Sequence, residues 1–275
     1  MVNRRFNLLF YVGLIFFLIT IIFPFYWMII TSFKTFDQLF SIPPIFIPQK
    51  ITIGSYLEVF IQHKFYKFFI NSLFISLVTI FLTLIIATPG AYALTRFKFK
   101  GKGFFLQWVL ITYMFPAILL VIPIFALLSK IGLHNSLVGL IMAYLVQTTP
   151  LALYLLGSYF KAIPPEIEEA ALIDGCSFWQ VIRKITLPLS LPSLATVAIF
   201  TFIIVWNEFL FAYVFLYSPE KYTLPIGLFH LFSSYHTAWD KIMAGSVIIV
   251  FPVIILFLFF EKYIEKGLIA GGIKG

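Results

Sequence analysis

Charge is what this sequence has least of. Lysine, arginine, aspartate and glutamate make up 11% of its 275 residues, against about 25% in a soluble domain. With 61% hydrophobic residues and a mean hydropathy of +1.03, it has too few polar groups to cover a water-facing surface, which excludes a soluble globular fold. Cysteine occurs once, at Cys176, which excludes an intrachain disulfide and any multi-cysteine metal site. The four histidines, His63, His134, His230 and His236, show no i,i+4 pairing. No HExxH or GxSxG pattern occurs, so neither a metal site nor catalytic residues of a membrane-embedded protease or acyltransferase are expected. An ion-coupled secondary carrier, the alternative reading, would show intramembrane acids in repeat-related halves. Here no long repeat is evident, and Glu208 is the one acid well inside an apolar run. The net charge of +8 suits contact with anionic lipid rather than nucleic acid.

Hydrocarbon is abundant instead. A bilayer core about 30 Å thick needs roughly 20 apolar residues per helix. Six stretches qualify, at about 6–30, 68–94, 104–128, 136–156, 189–216 and 242–260. They are continuously apolar, without the alternation over roughly 10 residues of a membrane barrel. The expected fold is an all-α integral membrane protein with six transmembrane helices in a single domain, 1–275. The first run follows Arg4 and Arg5 but is longer than a signal-peptide core and lacks a small-x-small cleavage pattern, so an uncleaved helix is expected. Prolines recur in or near the runs (Pro24, Pro89, Pro116, Pro123, Pro150, Pro192, Pro252), which predicts bent helices facing other helices or a water-lined cavity.

Six spans put both termini on one side. Twelve of the nineteen basic residues then share that side, among them Arg96, Lys98, Lys100 and Lys102 in the short 95–103 loop, and seven lie opposite. Short basic loops face the cytoplasm, so both termini are expected to be cytoplasmic. The Arg96–Lys102 cluster reads as a topology and lipid-anchoring element. The long 31–67 loop, with Pro43, Pro44 and Pro48, is expected outside as an extended segment packed at the interface.

One polar island interrupts the hydrocarbon, at about 161–188. Pro164-Pro165 with Glu166, Glu168 and Glu169 reads as a helix start. Ile167, Ala170, Ala171 and Asp174 share one face, kept small by the alanines. Gly175 stands where a left-handed C-terminal residue is needed. Ser177 to Gln180 has capping-box spacing and starts a second helix that runs until Pro188. Two short angled helices across the mouth of the bundle are expected.

Glu169-Ala170-Ala171, three residues, Gly175, nine residues, Ile185, one residue, Leu187-Pro188 resembles the EAA signature of permease subunits of binding-protein-dependent ABC importers at every defined position. Further stretches resemble the sugar branch, and in it the smaller, maltose-type second permease: Asn71-Ser72-Leu73, Ala91-Tyr92-Ala93-Leu94-Thr95-Arg96-Phe97, Met114-Phe115-Pro116, Trp206-Asn207-Glu208-Phe209, Thr223-Leu224-Pro225, and the end from Lys266-Gly267-Leu268 to Gly272-Ile273-Lys274-Gly275. The likeness covers about the whole chain.

The resemblance implies a type I ABC importer permease fold in a prokaryotic inner membrane. It implies pairing with a second, homologous permease, two ATP-binding subunits and an external solute-binding protein, to carry a carbohydrate, a di- or oligosaccharide. No cofactor belongs to this chain on that reading; ATP and Mg belong to the ATPase subunits. Glu166, Glu168, Glu169, Ala170, Ala171, Asp174, Gly175, Leu187 and Pro188 become the coupling helix and its link to the fifth span. Asn71, Asn207 and Glu208 are expected along the translocation pathway, with a helix break in which Glu208 pairs structurally as the other reading of Glu208. Gly272, Lys274 and Gly275 belong to a tail that would reach between the ATPase subunits. A type I permease for a non-sugar solute is the remaining alternative.

Overall fold

The computed structural model describes residues 4–232 and 238–272. Helix dominates, and among the described residues the only β pairing is an isolated bridge between Lys34 and Ile51. In chain order the helices are α1 (Arg4–Ser32), α2 (Phe36–Leu39), α3 (Gly54–Leu57, continued by a π turn Glu58–Gln62), α4 (Phe65–Arg96), α5 (Lys102–Met114), α6 (Ala117–Lys130) and α7 (Leu137–Ala162). There follow α8 (Pro165–Ile173), α9 (Phe178–Val181, continued by a π turn Ile182–Thr186), α10 (Leu187–Leu189), α11 (Leu191–Asn207), α12 (Leu210–Phe215), α13 (Leu224–Phe232) and α14 (Trp239–Gly272). Among the described residues four helices are long and apolar enough to cross a membrane, within α1, α4, α7 and α14, and up to six spans result if each of two bent pairs counts as one.

The bent pairs depart from the expected continuous runs. The 104–128 run is broken between α5 and α6 by 102°. Pro116 forces Phe115 into an extended conformation (φ −72°, ψ 130°), as the residue before a proline requires. The 189–216 run begins with a 74° bend at Ser190 and breaks again after Asn207, where Glu208 is extended (φ −70°, ψ 126°). Pro24, Pro89, Pro123, Pro150 and Pro252 stay inside helices.

The chain forms two compact units, Met1–Tyr66 with Gly227–Pro252, and Lys67–Ile226 with Val253–Gly275. In the first, the proline-rich loop is held against the end of α1: the Tyr26 hydroxyl donates to the Phe46 carbonyl (2.7 Å), and Trp27 meets Phe46 edge-on. Lys34 is buried with its ammonium 4.0 Å from the centre of the Trp27 ring. Desolvation lowers its pKa, and the ring face offsets part of the cost of the charge. Ser55 donates to Asp240 (2.8 Å), and Lys241 pairs with Glu58, tying α3 to the start of α14.

The second unit holds the larger core. One cluster joins α4, α6, α7, α11 and α12 through Ile75, Val121, Tyr144, Val205, Phe211 and Phe215. A second joins α4, α7 and α11 through Ala87, Ala91, Tyr92, Leu156, Phe160 and Val197. The alanines let the helices approach closely, and the hydroxyls of Thr83 and Thr148 bond across α4 and α7 (2.8 Å), the kind of packing that joins helices in a bilayer.

Candidate functional site

The polar island folds as two short helices. Pro165 opens α8 with Glu166 and Glu168 in its first turn, where the missing proline N–H costs nothing and the acids meet the positive helix end. Asp174 ends α8, and Gly175 takes a left-handed conformation (φ +90°). The backbone N–H of Gly175 donates to the Leu172 carbonyl and that of Cys176 to Ala171, closing the helix as left-handed caps do. Ser177 caps α9 in a full capping box with Gln180. The second helix does not stop at Pro188. A π turn over Ile182–Thr186 leads through Pro188 to Leu189, and the chain bends only at Ser190. The wider turn accommodates the N–H that Pro188 lacks.

The four acids divide sharply. Glu166, Glu169 and Asp174 are exposed together with Ala170, while Ala171 is half-buried. Beside them stand Ile173, 86% exposed, and Trp179, 68% exposed. The result is a small-residue helix face rimmed by acids and two large apolar side chains. Glu168 points the other way and is 5% exposed. Its carboxylate accepts from Arg96 Nε (2.9 Å) and Nη2 (3.1 Å), Tyr92 Oη (3.2 Å) and Thr186 Oγ1 (2.9 Å). Arg96 Nη2 also donates to the Ile163 carbonyl at the end of α7 (3.0 Å). A bidentate arginine on a buried carboxylate is among the stronger polar contacts. Removing one partner of a buried pair costs about 3–5 kcal/mol.

Arg96 therefore stands apart from the basic cluster in which the sequence places it. It is the sole arginine of that cluster, and its planar fork matches a carboxylate where lysine would not. The direction of Glu168 was also readable: it lies i−3 and i−4 from Ala171 and Leu172, the half-buried face of α8.

Glu208 sits at the break after α11. Its carboxylate accepts from the backbone N–H groups of Phe211 (2.8 Å) and Ala212 (3.1 Å) and from Tyr144 Oη (2.8 Å). It thus caps α12 and holds the break open against α7. Asn207 is exposed and donates to the Ile203 carbonyl (2.8 Å). Asn71 Nδ2 donates to the carbonyls of Glu220 (2.9 Å) and Tyr222 (3.0 Å), stapling the start of α4 to the 219–222 loop. Gly272 ends α14, and Lys274 and Gly275 lie outside the described residues. Among the described residues no three His, Cys, Asp or Glu side chains gather as metal ligands would.

Several helices long and apolar enough to cross a bilayer, with a structured polar loop that exposes an acid-rimmed face, define a multi-pass membrane protein. Residues 80–270 match the family described as "Binding-protein-dependent transport system inner membrane component", and the chain belongs to that family. It is 41% identical over 268 residues to the inner membrane ABC transporter permease protein YcjP of Escherichia coli, covering 97% of this chain and 96% of that one. It is 38% identical over 273 residues to the trehalose/maltose transport system permease protein MalG of Thermococcus litoralis, covering 98% and 97%. Among solved structures it resembles a chain of a bacterial ABC transporter involved in the import of the acidic polysaccharide alginate, with a TM-score of 0.83, 26% identity, and coverage of 94% and 96%. The chain is a multi-pass permease and not an enzyme.

Proposed function

We propose that this chain forms half of the translocation pathway of an ATP-driven carbohydrate importer, paired with a homologous permease, and that the 161–188 loop docks on an ATPase subunit. The relatives that transport trehalose and maltose or import alginate support a carbohydrate, and the binding-protein-dependent family supports an external solute-binding protein. Both termini are cytoplasmic on this reading, on the side of the basic 95–103 loop. The observation that carries the docking role is the outward face of α8. Glu166, Glu169, Ala170, Asp174 and Gly175 are exposed together on this short element.

A close-fitting groove on the partner would take the alanine face while its basic groups meet the acids. Leu187 and Pro188 then link the loop to α11. The tail residues Gly272, Lys274 and Gly275 are assigned to contact with the same ATPase partners. Of the polar residues near the spans, exposed Asn207 is assigned to the pathway, whereas Asn71 and Glu208 hold its shape through the bonds described above. The test is to express a tagged chain with its genomic neighbours. An ATPase subunit should co-purify, and the companion binding protein should retain a sugar; absence of any ATPase contradicts the reading.

Gly175 gives a sharper prediction. A Cβ built there meets nothing within 4 Å, and only its φ of +90° resists substitution. Gly175→Val should therefore cost about 1–2 kcal/mol of backbone strain at the bend between α8 and α9. Uptake in membrane vesicles should fall about tenfold with the ATPase still bound, and Gly175→Asn, which tolerates the left-handed region, should retain most uptake. Equal uptake in all three forms counts against the bend.

A further inference from the structure

We propose that Arg96, with Tyr92 and Thr186, is the positioning group that carries movement of the docking helix into the membrane helices, through the inward-facing carboxylate of Glu168. The proposal rests on the docking reading given above and adds the route by which the stroke enters the bundle.

Four donors converge on one buried carboxylate. Two come from the Arg96 fork and one from Tyr92, both in the last two turns of α4; the fourth comes from Thr186 in the π turn that leads to α11. Arg96 then reaches past Glu168 to the Ile163 carbonyl, where α7 ends. The Ser190 hydroxyl donates to the Thr186 carbonyl at the bend into α11. A single side chain of α8 is thereby bonded to the ends of two spans, and through Arg96 to a third. A buried carboxylate has about four lone-pair sites to satisfy, and this one fills them from two different elements, the end of α4 and the π turn that leads to α11, so its bonding ties α8 to both.

Directional bonds differ from apolar contact in what they transmit. The planar fork of arginine fixes both the distance and the angle of the carboxylate, so rotation of α8 must turn the end of α4 or break the pair. The π turn at Ile182–Thr186 is a wider helical turn of a kind frequent at functional sites, and Thr186 is its last residue. The ends of α4, α7 and α11 are expected to move with α8 as one body, the hinge lying where the π turn begins.

The test uses the full complex, with ATPase and binding-protein subunits co-expressed and reconstituted in lipid vesicles. Co-purification reports docking, and stimulation of ATP hydrolysis by the binding protein as co-purified reports transmission. Arg96→Gln and Glu168→Gln should each keep the ATPase bound within about twofold yet lose at least tenfold of the stimulation. The exchange Arg96→Glu with Glu168→Arg should recover stimulation over either single variant. If the Arg96 and Glu168 variants do not accumulate, Tyr92→Phe and Thr186→Val, which each remove one hydroxyl, carry the test, and each should reduce stimulation about threefold. Undiminished stimulation in these variants, with docking intact, overturns the proposal. Failure of the unaltered chain to hold an ATPase is instead the failure of the docking reading.

Discussion

Reversing the charge of the exposed face of α8, with Glu169→Lys and Asp174→Lys together, is expected to abolish transport while leaving the protein folded. Both side chains are exposed, and surface substitutions of this kind change stability by about 0.5 kcal/mol or less. Against a basic partner, losing a desolvated charge pair costs about 2–5 kcal/mol of binding, or roughly thirty- to several-thousand-fold in affinity. Substrate uptake in cells should fall at least a hundredfold on the same scale, with membrane levels of the chain unchanged. A control at Glu220, in a turn far along the chain from the loop, should transport normally. Loss of the protein itself, or normal uptake in the double variant, would contradict the assignment of this face.

The largest effect on folding is expected at Gly139. A Cβ on this residue, in the first turn of α7, would lie 2.1 Å from the Leu133 carbonyl oxygen and 3.1 Å from its carbon. That carbonyl belongs to backbone and cannot turn aside as a side chain would. The turn before α7 is held at Asn135, whose Oδ1 accepts from the N–H groups of Tyr217 and Ser218 and whose own carbonyl accepts from Lys221. Gly139→Ala should therefore cost about 3 kcal/mol, the upper end of ordinary overpacking. The yield of monodisperse protein in detergent should collapse with it. Gly103→Ala is the matched control, since nothing lies within 4 Å of its Cβ.

Gly139 also marks where sequence reasoning stops. Within Leu137-Val138-Gly139-Leu140 it resembles any tolerated glycine of a membrane helix, and only the path of a turn six residues earlier makes it obligatory. The polar island, by contrast, was legible almost to the residue, because its signals are local: proline at a helix start, glycine at a left-handed cap, and serine and glutamine in a capping box. The break at Phe115-Pro116 was available from the pre-proline rule but masked by an unbroken apolar run.

The break at Glu208 carries no glycine or proline. The sequence offers such a break as one of two readings of Glu208, but the partners that make it, the first-turn N–H groups of α12 and Tyr144, sixty-four residues away, are a matter of tertiary structure. The direction of Glu168 falls between these cases. Its helical position separates it from Glu166 and Glu169, yet its partners Arg96 and Tyr92 lie more than seventy residues earlier.

The most direct measurement is site-specific photocrosslinking from the loop in intact membranes. A photoreactive side chain at Ala170, on the exposed face of α8, should form an adduct with the co-expressed ATPase subunit, and one at Glu220 should form none. An ATPase that co-purifies with the chain but yields no adduct from Ala170 would contradict the claim that this loop is where the permease is driven.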